Sequence, residues 1–445
     1  MDKKQDVVII GGGPAGRAIV HMLNTADKHL SVTLIKDEPI NVNRCAVPYG
    51  IDKKKPIKKY QIPNSLVTDF GADLLIDTVK TIDTDQQCIH TANGDIIGYN
   101  HLVLATGSHP FMPPIPGNEN KLITPVRSVD DLSLLRDLSA ENKTAVILGG
   151  GYIGVEVAVV LKKMGMMVTI VEILPDILIS TTEPEFIASV KETLQANKID
   201  IITKEKVVEF SHLTDNKVLV KLGNNQSINA DLVVMSTGVI PNTALAAQAG
   251  LKISPFGIKV NDQMQTSVDN IYACGDCVEK FSFINRMPIR GEFGTNAVFM
   301  AKVVAQNILG KNIDFPGVLN ANATTVYNLS LGSAGFTEKV AIDAGIDVVT
   351  GFSEILDKYP MIDGASPIMT KLIFNRTNKK LIGGSVLRSG FGASQNVDFI
   401  SFAIQMGATM DDIFHYQYAT QPELAAKPSD NTYVFATKDA KNKTL

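Results

Sequence analysis

The sequence predicts an α/β protein in which two parallel-sheet units share one plan and an α+β region follows them. Three observations carry that prediction. The apolar run Val7-Val8-Ile9-Ile10 leads into Gly11-Gly12-Gly13-Pro14-Ala15-Gly16, and Ala145-Val146-Ile147-Leu148 leads into Gly149-Gly150-Gly151-Tyr152-Ile153-Gly154. The endings Ala105-Thr106-Gly107-Ser108-His109-Pro110 and Ser236-Thr237-Gly238-Val239-Ile240-Pro241 are alike, so the plan is duplicated. From about Ala323 onward no such glycine turn occurs.

Each glycine run stands between a strand and a helix, the context in which GxGxxG binds a dinucleotide. The first glycine (Gly11, Gly149) allows the tight turn. The second (Gly13, Gly151) lets the backbone approach a pyrophosphate, and the third (Gly16, Gly154) packs helix on strand. Pro14 and Ala15, or Tyr152 and Ile153, then open a helix whose unpaired N–H groups face the phosphates. Two such turns predict two Rossmann-like nucleotide-binding domains and two dinucleotides.

In order along the chain, residues 6–112 read as strand, helix and strand, then a loop carrying Cys45, then mixed elements ending in Leu102 to Gly107. The proline-rich segment Phe111 to Gly117 looks like a domain crossing. A second unit runs from about 118 to Asn242, with a strand from Val168 to Glu172 and a closing strand from Leu232 to Met235. The chain then passes Asn270-Ile271-Tyr272-Ala273-Cys274-Gly275-Asp276 and a helix from Asn296 to Leu309. The third region has strands at Lys371 to Asn375 and Leu381 to Leu387 and a helix near Asn396 to Met406, suited to packing or dimerisation. This gives residues 1–117 and 243–322 as one discontinuous domain, 118–242 as the second, and 323–445 as a C-terminal α+β dimerisation domain.

Composition bounds the function. A chain of 445 residues has room for about three domains. Its net charge of −4 gives no reason to expect nucleic acid. No apolar run approaches the ~20 residues that span a bilayer, which speaks against a membrane protein. The first apolar stretch runs straight into a glycine turn and reads as a strand, not a signal peptide. Four cysteines in so long a chain make no disulfide framework, and a reducing cytoplasm fits them.

An acid at the end of the second strand, ~20 residues after the glycines, bonds the ribose 2′-hydroxyl. Glu172 holds that place in the second copy, followed by Ile173 and Leu174 with no arginine for a 2′-phosphate, so NADH is favoured over NADPH. In the first copy Lys36 aligns with Glu172 and the acids come later, as Asp37 and Glu38.

With these pieces the chain resembles the pyridine nucleotide-disulfide oxidoreductases over nearly its whole length. The resemblance implies that the first fingerprint binds FAD and the second NAD(P)H. It implies that Tyr272-Ala273-Cys274-Gly275-Asp276 returns to the flavin with Asp276 on the ribityl chain, and that Thr106-Gly107 line the same site. Tyr152 matches a family tyrosine that shields the nicotinamide pocket and swings away when NADH enters. Cys45 sets the branch. Most disulfide reductases carry Cys-x4-Cys here, but position 50 is Gly50. The lone cysteine in Arg44-Cys45-Ala46-Val47-Pro48-Tyr49 is similar to that of the coenzyme A-disulfide reductase, NADH oxidase and NADH peroxidase branch, where one sulfur cycles as a mixed disulfide, persulfide or sulfenic acid beside the flavin.

A thiolate is the nucleophile such chemistry needs. Arg44 adds positive charge beside Cys45, and Pro48 suits the first turn of a helix, whose N-terminus favours an anion. The plainer alternative is a buried, inert cysteine. Cys274 and Cys277 form a Cys-x-x-Cys, but they flank the Gly-Asp of the flavin stretch and read as small structural residues; Cys88 also reads as structural.

Three features bear on the electron acceptor. Peroxidase and oxidase members of the family usually carry a histidine in the first glycine turn, where this chain has Gly13, Pro14 and Ala15. In two-cysteine reductases a His-Pro pair in the partner subunit's tail is acid and base; here Gln421-Pro422 stands instead. Coenzyme A-disulfide reductases use tail tyrosines: Tyr359 before Pro360 matches one, and Tyr416 and Tyr418 lie close to the other, with Tyr418 the chosen candidate. Lys53, Lys54, Lys55, Lys58 and Lys59 would attract the phosphates of coenzyme A, or form an ordinary solvated face. The sequence therefore points to an FAD-dependent NADH oxidoreductase, a cytoplasmic homodimer, reducing a coenzyme A disulfide, persulfide or polysulfide through Cys45. Alternatives are an NADH oxidase or peroxidase, a reductase of an electron-carrier protein or quinone, and a redox sensor that binds NADH with little turnover. No metal site is expected.

Overall fold

Continuous apolar runs become the central strands of two parallel sheets. In the computed structural model, which describes residues 3–26, 29–214 and 216–444, β1 (Lys3–Ile10) leads through the first glycine turn into α1 (Pro14–Asn24) and β2 (Val32–Lys36). β1 lies between β2 and β3 (Ile96–Leu104), parallel to both. Val7, Val8 and Ile9 are wholly buried, because a central parallel strand is covered on both faces. Asp73–Ile76 extends this sheet beyond β2, and Cys88–Thr91 and Val79–Asp83 extend it antiparallel beyond β3. The strand Ile271–Ala273 returns parallel to β3, with Tyr272 opposite Val103. That return delivers Gly275 and Asp276 to the carboxyl ends of the strands, where open α/β sheets bind ligands. The helix Gly294–Ile308 packs on α1.

These elements belong to a first compact unit of residues up to Phe111, Val126–Leu134 and Gly238–Val318. A second unit comprises Met112–Pro125, Leu135–Thr237 and the residues from Leu319 on.

In the second unit β4 (Thr144–Leu148) leads through the second glycine turn into α2 (Tyr152–Lys163) and β5 (Met167–Val171), and β6 (Leu232–Met235) lies on the other side of β4. Ile123–Pro125 and Ile199–Ile202 complete a parallel sheet of five strands. A three-stranded antiparallel sheet, Val207–Thr214, Lys217–Leu222 and Ser227–Ala230, forms the excursion between β5 and β6. The C-terminal region opens with the hairpin β7 (Asn322–Val326) and β8 (Leu329–Gly335). Val348–Leu356, Pro367–Asn375 and Leu381–Ser389 complete an antiparallel sheet of five strands. The helix Ala393–Gln405 packs on this sheet, as does Thr432–Asn442.

The strand expected from Lys371 begins at Pro367, because it pairs with Val348–Leu356 along its full length, Leu356 opposite Pro367. The helix expected from Asn396 begins at Ala393, directly after Gly392 at φ +117°. Among the described residues no helix is long and apolar enough to cross a membrane.

Candidate active site

Gly11, at φ +118°, makes the turn that leaves β1, and a Cβ there would stand 2.1 Å from the carbonyl oxygen of Ala105. A Cβ on Gly16 would stand 2.0 Å from the oxygen of Gly11, so α1 can seat only on glycine. Gly13 faces open space within 4 Å, which lets a phosphate approach the backbone at the start of α1. Ala15 is buried, and its Cβ is 3.4 Å from where a Cβ of Gly275 would lie. Asp276 accepts a hydrogen bond from Ser108 Oγ at 2.9 Å. Thr106 and Asn242 are joined twice: Thr106 Oγ1 donates to the Asn242 carbonyl at 2.9 Å, and Asn242 Nδ2 donates to the Thr106 carbonyl at 2.8 Å. The structure thus gathers Gly11, Gly13, Gly16, Thr106, Gly107, Gly275 and Asp276 at one end of one sheet.

Two arginines close this cradle. The space beside Gly107 Cα is bounded by Arg44 Nη1 and Arg127 Nη2, 3.7 and 3.8 Å from a Cβ placed there. Arg127 Nη2 is buried and meets no hydrogen-bond acceptor among the described residues. Burial, then the neighbouring Arg44, pushes its guanidinium down to about 10, against the partial support of Asp276, Glu38 and Asp131. A buried donor with positive charge and no acceptor is costly unless a ligand supplies one. Sequence reasoning missed Arg127; Pro125-Val126-Arg127-Ser128 carries no motif that would have flagged it.

Of the first copy's two acids, Glu38 joins this cluster and Asp37 is exposed. Glu38 pairs with Arg44 at 3.3 Å and accepts from Asn41 Nδ2 at 2.6 Å. Lys36 is buried and donates to Asn41 Oδ1 at 2.8 Å and Asn64 Oδ1 at 2.7 Å, so it is a structural ammonium.

Cys45 sits in the short 3-10 turn Arg44–Ala46 and is exposed, whereas Cys88, Cys274 and Cys277 are buried. The helix that Pro48 was expected to open is a single turn, Val47–Gly50, whose dipole is correspondingly small. Arg44, the preceding residue, has its positive charge moderated by its pairing with Glu38. Burial raises the thiols of Cys88, Cys274 and Cys277, and Cys277 directs its S–H at the carbonyls of Cys274 (3.3 Å) and Leu104 (3.4 Å). Those three are protonated packing groups. Lys53, Lys54, Lys55, Lys58 and Lys59 are all exposed.

The second cradle repeats the first. A Cβ on Gly149 (φ +98°) would be 2.3 Å from the Ser236 carbonyl, one on Gly154 would be 2.0 Å from that of Gly149, and Gly151 faces open space. Glu172 follows β5 and is buried, its Oε2 accepting from Gly150 N–H at 2.6 Å and its Oε1 from Leu174 N–H at 2.7 Å. The carboxylate is thereby held against the glycine turn. A cleft beside it is lined by Gly151, Tyr152, Glu172, Leu174, Asp176 and Thr181. Ile153 is exposed, and Gly238, at φ +98°, lies in the first unit with open space around it.

In the C-terminal region the Tyr359 N–H donates to the Pro422 carbonyl at 3.2 Å, which ties its loop to the tail segment. Tyr418 donates its hydroxyl to the Pro428 carbonyl at 2.8 Å, on the exposed side. Tyr416 instead packs its ring 5.0 Å from Phe399, and burial pushes its phenol up to about 12. Both tail tyrosines are half-buried, their rings 5.3 Å apart.

Residues 5–300 match the model of the pyridine nucleotide-disulphide oxidoreductase family, and residues 321–431 match that family's dimerisation domain. The chain belongs to this family, and it is an FAD-dependent NAD(P)H oxidoreductase. It is 31% identical over 432 residues to an NADH oxidase of Methanocaldococcus jannaschii, covering 94% of this chain and 95% of that one. It is 30% identical over 435 residues to a CoA-dependent NAD(P)H sulfur oxidoreductase of Pyrococcus furiosus, covering 96% and 97%. Its structure resembles that of a NAD-dependent persulfide reductase from A. fulgidus with a TM-score of 0.92 at 28% identity, covering 98% of this chain and 83% of that one.

Proposed function

We propose that this chain is an NADH-dependent flavoprotein reductase of a small disulfide or sulfur compound, with a coenzyme A disulfide, persulfide or polysulfide as the substrate class. The observation that carries this reading is the exposure of Cys45, next in the chain to the Arg44 whose guanidinium borders the first cradle, while the other three cysteines are buried. The names of the Pyrococcus furiosus and A. fulgidus relatives support the sulfur substrate.

The first cradle suits FAD: an open backbone at Gly13 for the pyrophosphate, Asp276 for the ribityl hydroxyls, and the unanswered Arg127 for a hydrogen-bond acceptor. When bound, FAD supplies the two-electron relay between nicotinamide and sulfur. The second cradle suits NADH, with Gly151 open to the phosphates and Glu172 disfavouring a 2′-phosphate.

Cys45 attacks one sulfur of R–S–S–R′ as the thiolate; a Cys45–S–S–R bond forms and R′S⁻ leaves. Two electrons originating in NADH then break that bond, restoring the Cys45 thiolate and releasing RS⁻. The balance is NADH + H⁺ + RSSR′ → NAD⁺ + RSH + R′SH. Tyr359 and Tyr418, contributed by a partner subunit of a homodimer, donate protons to the leaving thiolates, and the Lys53–Lys59 face draws in the phosphates of coenzyme A. The domains are residues 1–117 and 243–322 for FAD, 118–242 for NADH and 323–445 for dimerisation, in a cytoplasmic enzyme without a nucleic-acid partner.

The second reading is NADH oxidation by oxygen, favoured by the Methanocaldococcus jannaschii relative. Against it stands a first glycine turn with no histidine to assist oxygen or peroxide. Anaerobic NADH consumption with coenzyme A disulfide, polysulfide, glutathione disulfide, peroxide and quinone separates the two. Cys45→Ser should keep its FAD and lose thiol release by at least roughly 1,000-fold, as the loss of a nucleophile does. Undiminished thiol release in that variant rules out the sulfur mechanism.

A further inference from the structure

Tyr152 opens α2 and its ring is one wall of the cleft beside Glu172. Its hydroxyl does not point into that cleft's solvent. It donates to Asn322 Oδ1, on β7 of the C-terminal sheet, at 2.5 Å. The direction of this bond is fixed chemically. Asn322 Nδ2 donates to the Asn320 carbonyl at 2.7 Å and to Ser333 Oγ at 3.1 Å, so the other end of the amide is the oxygen, which can only accept. Ser333, opposite Asn322 on β8, donates to the Thr181 carbonyl at 2.8 Å, and Thr181 lines the same cleft. Burial raises the phenol above its ordinary value, against partial opposition from the nearby Thr181, Thr182 and Ser333.

One helical turn along, Glu156 Oε1 accepts from Thr324 Oγ1 at 2.7 Å. Residues 152 and 156 share a face of α2, four apart; residues 322 and 324 share a face of β7, two apart. The two periodicities mesh, and two polar contacts fasten the start of α2 to the C-terminal sheet.

We propose that Asn322 is the latch of the nicotinamide gate: the C-terminal sheet holds Tyr152 closed, and the nicotinamide end of NADH enters only when the Tyr152–Asn322 bond breaks. This rests on the reading of Tyr152 as the shield of that pocket. Asn322 is a positioning residue, acting on the dinucleotide through the tyrosine alone. NADH affinity is then set in part by a residue from outside the nucleotide fingerprint, and any rearrangement of β7 is felt at the gate.

The test is calorimetric titration of the oxidised holoenzyme with NAD⁺ and, separately, with ADP-ribose, which lacks the nicotinamide and does not need the gate open. Asn322→Ala and Tyr152→Phe should each tighten NAD⁺ by about 3- to 10-fold, the equivalent of one net hydrogen bond. The double variant should gain no more than either single one, because both remove the same bond. ADP-ribose affinity should stay where it is in all three. Should Asn322→Ala fail to accumulate as holoenzyme, Tyr152→Phe carries the same prediction.

Tyr152→Ala separates the two ways of failing. If it tightens NAD⁺ while Asn322→Ala and Tyr152→Phe do not, Tyr152 is a gate without this latch and the proposal falls alone. If Tyr152→Ala leaves NAD⁺ binding unchanged, the gate falls and the latch with it. Parallel shifts of ADP-ribose and NAD⁺ would mark Asn322 as merely structural and overturn the proposal as well.

Discussion

Arg127 enters the first cradle from Val126–Leu134, with Nη2 buried and unanswered among the described residues and with Arg44 as a neighbouring like charge. In the apoprotein that arrangement is a cost, and a ligand acceptor relieves it. Arg127→Met keeps most of the volume and removes the charge, so the apoprotein should melt no lower than wild type. FAD should bind about 10- to 100-fold more weakly, from the loss of a hydrogen bond to a charged group worth about 1.5–3 kcal/mol. Thermal melting of the apoprotein reads the first quantity and fluorescence titration with FAD the second; unchanged FAD affinity would remove Arg127 from the site. The two glycine turns, and Glu172 held against the second, were legible because they follow from local spacing. Arg127 was not, since only the folded chain brings it to Gly107. The partition of Asp37 and Glu38 was equally hidden, because the Lys36–Asn41–Asn64 contacts that turn the loop are tertiary.

Elements built on a strict period were read nearly to the residue. The closing strand Leu232–Met235 matches, and β5 ends one residue before the expected Glu172. The tail was not legible in this way: Tyr416, Gln417 and Tyr418 are adjacent, lie in no helix or strand, and their roles depend on which ring finds a pocket. Tyr416 finds one against Phe399 and Tyr433, with burial as the chief cause of its raised phenol. The sign of its pH effect follows. The unfolded phenol ionises near its ordinary value of 10, the folded one near 12, so the unfolded chain gives up its proton first. Stability from Tyr416 is therefore complete below about pH 10 and drains away as pH climbs towards about 12. Tyr416→Phe should flatten part of the alkaline fall in melting temperature between those limits. Burial also raises the neighbouring Tyr433, which continues to contribute. An identical alkaline fall in both proteins would show that Tyr416 ionises as freely folded as unfolded.

At the scale of the whole molecule, the C-terminal sheet is joined to the nucleotide-binding part of its unit by more than the Tyr152 contacts. Lys371, nearly inaccessible in the strand Pro367–Asn375, sets its ammonium 3.0 Å from Glu183, 2.9 Å from Glu185 and 2.6 Å from Glu338. Glu183 precedes the helix Pro184–Ala196 and also accepts from the Glu338 N–H at 2.8 Å. Burial opposes the charge on Lys371, but the three carboxylates outweigh it and hold the ammonium above its ordinary value. A buried ion cluster of this kind adds little over an apolar one, yet breaking it strands the remaining charge. Lys371→Met should thus cost about 3–5 kcal/mol, because Glu183 is left buried with no cation. Adding Glu183→Gln to that variant should recover a large part of the loss, since the stranded charge goes with it. Melting of the holoenzyme, with flavin release followed separately, reads both steps. The contrast matters more than either value: if the double variant is as unstable as the single, the cluster acts through packing, and electrostatics is not what fastens the sheet to the nucleotide-binding fold.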